Sequence, residues 1–96
     1  MAVGGVVADT TSKDDDAYLD VQPYAGVEWV IHNIYYAGAA ELYKYDGTNT
    51  ILFDTTTAGG AHLNLRIHCT NGDYLRVRNV SGGAAIVGYD GIITAE

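Results

Sequence analysis

From Ala17 onward the chain is divided into short β-rich segments by turn signals roughly every ten residues, a spacing that restricts it to a sandwich or barrel of strands. The segments that read as strands are Ala17 to Gln22, Val27 to Tyr36, Glu41 to Tyr45, Thr50 to Asp54, Ala61 to Thr70, Tyr74 to Val80, and Ala84 to Thr94 with a break near Asp90. Pro23 closes the first of them because it has no N–H to give to a ladder. No segment carries a comparable helical signal. The expected fold is therefore all-β, a small antiparallel β-sandwich of jelly-roll type.

Size sets the next limit. A chain of 96 residues builds one core, so function rests on that core or on surfaces between copies. Hydrophobic residues make up 48% and charged residues 18%, with 12 glycines and 8 tyrosines, a globular composition suited to strands and tight turns. The first sixteen residues differ: they are small, polar and acidic and end in Lys13, Asp14, Asp15, Asp16. They read as a flexible acidic N-terminal arm (1–16) ahead of a β-sandwich domain (17–96), with Val3, Val6 and Val7 able to add an edge strand or grip a neighbour. No apolar run approaches the roughly 20 residues that span a bilayer, and the N-terminus does not have the pattern of a secretory signal. The expectation is a soluble protein made in a cytosol. A formal charge of −7 argues against general binding to nucleic acid or to an anionic membrane.

Two hairpins carry register information. Asp46, Gly47, Thr48 and Asn49 form a turn that sets Tyr43 opposite Leu52 and Leu42 opposite Phe53, so both faces of that hairpin are partly apolar. Both faces of Val27 to Tyr36 are apolar as well, which in so small a sandwich points to an outer face that meets another subunit. In the second hairpin Leu63, Leu65, Ile67 and Cys69 share one face, and a three-residue loop ending at Asp73 pairs Cys69 with Leu75 and Ile67 with Val77. The outward face then carries Asn64, Arg66, His68, Thr70, Tyr74, Arg76 and Arg78, with Arg66 and Arg78 as cross-strand neighbours that call for an anion between them. The acidic run Asp14 to Asp16 of a neighbouring copy is the expected source.

Catalytic patterns are not found. The sequence holds no nucleophile elbow, phosphate loop, dinucleotide fingerprint or zinc-protease helix, and the chain reads as a non-enzyme with no cofactor and no metal. His62 and His68 are six residues apart, roughly 20 Å at strand rise, too far to share one metal, and His32 lies on another strand. Asp14, Asp15 and Asp16 read as a solvated run and not as a calcium loop. Cys69 alternates in phase with Leu63, Leu65 and Ile67 and reads as a buried structural thiol; as a lone cysteine it forms no disulfide within the chain. The tyrosines, Tyr43 and Tyr45 among them, bring broad rings with a polar tip, a chemistry used at protein interfaces and for stacking on sugars.

The order of the motifs Trp29 to Tyr35, Tyr45-Asp46-Gly47, Phe53-Asp54, His68-Cys69-Thr70-Asn71, Arg76-Val77-Arg78-Asn79 and Gly88-Tyr89-Asp90-Gly91 resembles short virion proteins of tailed bacteriophages, of the head decoration or cement type. The resemblance runs from Tyr18 to Thr94 and omits the arm. It implies a jelly-roll-like subunit, commonly trimeric, seated on the major capsid protein of the phage head after assembly in the bacterial cytoplasm, with no catalytic residues. Trp29, Tyr43, Tyr45, Arg66, Arg76, Arg78, Asp14, Asp15 and Asp16 are the expected contact residues. A carbohydrate-binding module on a virion, using exposed tyrosines and the loop Thr55 to Gly60, and a tail or neck structural protein are the alternative readings.

Overall fold

The computed structural model describes residues 3–96 and contains nine strands: β1 (Val6–Lys13), β2 (Tyr18–Val21), β3 (Glu28–Tyr36), β4 (Ala40–Tyr45), β5 (Thr50–Thr55), β6 (Gly60–His62), β7 (Ile67–Cys69), β8 (Tyr74–Asn79) and β9 (Ala85–Ala95). They form two antiparallel sheets. The first runs β1-β9-β3-β6, with β7 also on β3, and the second runs β2-β8-β4-β5. Because β6 and β7 pair with successive parts of the same neighbour, they are two halves of one interrupted strand. Counted so, the pairs nest: first with last, second with next to last, and β4 with β5 at the centre. That nesting is the jelly roll.

Alternation along each strand feeds one core. Leu19 and Val21 of β2, Ala40 and Leu42 of β4, Leu75 and Val77 of β8, and Val87, Tyr89 and Ile93 of β9 are all buried. On β3 the inward set is Trp29 and Ile31, then Ile34 and Tyr36. That change of phase comes from a bulge: Ile31 pairs with Gly91 and Asn33 with Asp90, leaving His32 without an opposite number. The irregularity expected near Asp90 thus falls on β3, while β9 runs unbroken. Gly91 is required there, because a Cβ would overlap the carbonyl oxygen of Val30.

The segment read as a flexible arm is corrected by the structure. Val6 to Lys13 pairs residue by residue with β9, from Val6 opposite Ile92 to Lys13 opposite Ala85, and Val7 is buried. Its short polar side chains gave no core signal, yet the backbone of β9 needs partners on that side, and β1 supplies them. Asp14 to Asp16 form the crossing from the first sheet to the second. The Asp14 carbonyl accepts from Ala17 N–H at 3.0 Å, Asp15 Oδ1 accepts from Gly82 N–H at 2.9 Å, and Asp16, at φ 67°, donates its N–H to the Asn79 carbonyl at 2.7 Å. Met1 and Ala2 lie outside the described residues.

The second expected hairpin is also corrected. Ala61 to Thr70 is not one strand, and β7 and β8 are in opposite sheets; the turn closed by Thr70 N–H on the Asp73 carbonyl at 2.7 Å arches between them. Cys69, Leu75 and Val77 do face inward, but across the core and not along a ladder. Leu63 is exposed, and Arg66 and Arg78 are not neighbours. In the β4-β5 hairpin Tyr43 pairs with Leu52 as expected, whereas a bulge at Phe53 sets Leu42 opposite Asp54. Its turn is as read: Asp46 Oδ1 accepts from Thr48 N–H at 2.9 Å and Asn49 N–H at 2.7 Å, and these bonds, Asn49 first, hold the carboxyl below its usual range.

Asn79 ties the sheet crossings together from a fully buried position. Its Nδ2 donates to the Lys13 carbonyl at 2.9 Å and the Gly83 carbonyl at 2.7 Å, and its Oδ1 accepts from Ser81 N–H at 3.0 Å. Asn79→Ala leaves three backbone groups without that partner. A loss of about 2–4 kcal/mol is expected from urea unfolding; a change under about 1 kcal/mol means the crossings do not depend on this amide.

Tyr89 lies under Trp29, ring centroids 6.0 Å apart, and burial pushes its phenol from 10.0 up to about 12. The folded state resists losing this proton, so the stabilisation is complete below pH 10 and is lost as pH rises from there toward about 12. The fall in stability over this window is expected to shrink in Tyr89→Phe, as read by chemical unfolding at successive pH values; an unchanged fall assigns it to other groups.

Candidate functional site

The outward residues of the second sheet form a patch of tyrosine and arginine. Tyr18 and Asp20 come from β2, Tyr74, Arg76 and Arg78 from β8, and Glu41, Tyr43 and Tyr45 from β4. They are outward for a simple reason: their alternates Leu19, Leu75, Val77, Ala40 and Leu42 are in the core. The rings interlock, Tyr18 with Tyr43 at 5.8 Å between centroids and Tyr45 with Tyr74 at 5.4 Å edge to face. Arg76 lies over the Tyr18 ring at 4.1 Å and Arg78 at 5.5 Å, within reach of cation–π attraction.

The arginines find their carboxylates within the chain. Arg76 Nε donates to Asp20 at 2.7 Å, and Arg78 donates to Asp16 Oδ1 at 3.1 Å and to Glu41 at 3.2 Å. Tyr43 O–H donates to the same Glu41 oxygen at 2.6 Å, a bond that raises the tyrosine's pKa. The anion expected from a neighbouring subunit is thus supplied to Arg78 by Asp16 of its own crossing. The face is an ordered array of rings and guanidinium groups that already hold their carboxylates, residue types that are common at interface hot spots.

Beside this face β5 is one of the two edge strands of the second sheet, β2 being the other. Ile51, Leu52 and Phe53 are 62%, 46% and 41% exposed. Three consecutive apolar residues on an unpaired edge are unusual, because such an edge invites another chain.

Of the expected contact residues, Tyr43, Tyr45, Arg76, Arg78 and Asp16 come together on this face. Asp14 and Asp15 sit at the crossing nearby. Trp29 is in the core, 9% exposed, and Arg66 lies between β6 and β7 on the other sheet. Sequence reasoning missed Tyr18 and Asp20, whose outward positions follow from the Leu19 and Val21 alternation, and it missed the exposure of β5, which depends on that strand having a single neighbour.

One further constellation has the order of a catalytic relay. The bulge at Phe53 sets Asp54 opposite Leu42, where its Oδ2 is 2.5 Å from His62 Nε2, and His62 Nδ1 is in turn 3.0 Å from the Tyr36 hydroxyl. Tyr36 is buried, and burial first, then the charge of Asp54, raise its pKa, the direction opposite to nucleophile activation. The arrangement serves as a latch between β5 in one sheet and β6 in the other. His68 pairs instead with Glu28 at 2.8 Å, and Cys69 is buried with its thiol pKa pushed up by desolvation. Among the described residues no three His, Cys, Asp or Glu side chains are grouped to hold a metal ion.

No protein-family model matches the chain, and no curated protein matches it in sequence.

The exposure of the Arg78 ion pairs predicts a small thermodynamic role. Its side chain is 30% exposed, as is that of Arg76. Arg78→Gln is expected to leave the midpoint of urea unfolding nearly unchanged. A clear fall in the midpoint means that Arg78 holds the β1-β2 crossing in place.

Proposed function

We propose that the chain is a non-enzymatic structural protein of a virion, a subunit that assembles with copies of itself, as a trimer, and decorates or cements the head of a tailed bacteriophage by binding its major capsid protein. The observation that carries the reading is the uncovered apolar edge of β5 next to the tyrosine-arginine face. The jelly roll is a fold used by viral capsid proteins, and the motif order resembles phage decoration proteins; both support the reading by analogy.

Magnitudes explain why both surfaces are needed. Burying three large apolar side chains contributes at most roughly 5–9 kcal/mol, and association costs about 4–15 kcal/mol before any gain appears. The two ranges overlap, so the edge strand by itself holds at best a weak oligomer. In a closed trimer, β5 of one copy packs on the Tyr18, Tyr43 and Arg76 face of the next, a heterologous contact that three copies close into a ring. Clamping adjacent capsomers then adds binding free energy that only the assembled head enjoys.

A sugar-binding reading has one observation in its favour. Tyr24 is 81% exposed beside a cleft of about 400 Å³ that Gln22, Trp29 and Tyr89 help to line. Jelly rolls also serve as lectins.

Light scattering on the purified protein separates these readings. A mass near three times the chain's 10.2 kDa is expected, falling to one chain in the Leu52→Asp variant, which alters an exposed position and leaves unfolding cooperative. A particle of two chains replaces the trimer with edge-to-edge pairing of β5. A monodisperse monomer removes self-assembly and puts sugar binding first.

A further inference from the structure

Two irregularities of the first sheet fall opposite each other and leave an opening in it. β3 carries the extra residue His32, and its partner is interrupted between His62 and Ile67, so residues 63–66 leave the ladder. The opening is a cleft of about 460 Å³ lined by His32, Asn33, Asn64, Leu65 and Arg66. Its walls are held by a chain of bonds. Leu65 N–H donates to the His32 carbonyl at 2.8 Å, Asn64 N–H donates to Asn33 Oδ1 at 3.3 Å, and Asn33 Nδ2 donates to Asp90 at 2.7 Å. Asn64 is left-handed, at φ 60°, a conformation that asparagine tolerates well and that turns the chain out of the ladder here.

An arginine without a carboxylate distinguishes this cleft from the rest of the described molecule. Acidic residues outnumber Lys and Arg by 12 to 5, and Lys44, Arg76 and Arg78 are each engaged by a carboxylate. Arg66 is the one arginine that makes no ion pair or hydrogen bond among the described residues, and the His32 ring makes none either. The carboxylate tied to the cleft wall, Asp90, is already occupied: one oxygen accepts from Asn33 and the other from Tyr35 O–H at 2.8 Å. A guanidinium kept free of acids in an acidic protein, beside an imidazole and a primary amide, is a set of unspent donors around a small polar space.

We propose that this cleft binds a small oxyanion, a phosphate or carboxylate group, between the Arg66 guanidinium and the His32 ring, with the Asn64 amide as a third donor. The fork of Arg66 meets two oxygens of either group, and the wall bonds keep the donors from closing on one another. The site is independent of the assembly reading, since it lies on the other sheet from the tyrosine face and β5.

The test is an amide-resolved NMR titration at constant ionic strength with inorganic phosphate, with acetate and with glucose. Saturable shifts at residues 32, 33 and 64–66 are expected with the two anions, and the tighter of them names the group recognised. Arg66→Gln is expected to weaken binding at least tenfold and His32→Gln less, both with the remaining spectrum unchanged, while Lys13→Gln leaves the affinity as it was. An absence of saturation, an affinity indifferent to Arg66→Gln, or an equal response to glucose overturns the proposal.

Discussion

The extra residue in β3 is the constraint on which the first sheet depends. With His32 unpaired, Trp29 and Ile31 on one side and Ile34 and Tyr36 on the other all reach the core, although strict alternation sends one pair out. The backbone of β3 comes so close to β9 at this point that only glycine fits at position 91. The strand on the far side of β3 responds by breaking into β6 and β7. One bulge thus shapes the core, forces a glycine and opens the polar cleft.

The second sheet follows a different logic. Its inner face is the plain alternation of Leu19, Val21, Ala40, Leu42, Leu75 and Val77, and its outer face is where the chain concentrates rings and charges. Because each arginine meets a carboxylate and Tyr18 lies beneath both, the face is ordered before any partner arrives, which lowers the entropic cost of binding. At its margin the side chains of Ile51, Leu52 and Phe53 on β5 stay exposed. The bulges at His32 and Phe53 each adjoin one of the places left open, the cleft in the first sheet and the exposed strand β5.

The expected arm shows how composition misleads at an edge. Val6 to Lys13 holds small and polar side chains because one face meets solvent and only Val7 is well buried, so hydrophobic content is a poor guide to whether such a segment is ordered. Its order comes from main-chain bonds to β9, which any sequence without proline provides. The same applies to the charges: Asp16 reads as part of a solvated run, yet the crossing brings it to Arg78, 62 residues away.

What the sequence determined by itself was local. The all-β class, most strand segments, the Asp46 to Asn49 turn, the pairing of Tyr43 with Leu52 and the inward direction of Cys69, Leu75 and Val77 follow from a period of two and from turn chemistry, both of which act within a few residues. Only the tertiary structure decided which sheet each strand joins. The inner faces of both sheets are apolar toward one core, so Cys69 and Leu75 look alike whether they pair along a ladder or face each other across it. That choice separated Arg66 from Arg76 and Arg78, gave the latter two their acids, and left β5 at an edge. These are long-range outcomes of sheet packing, and alternation along a strand carries no record of them.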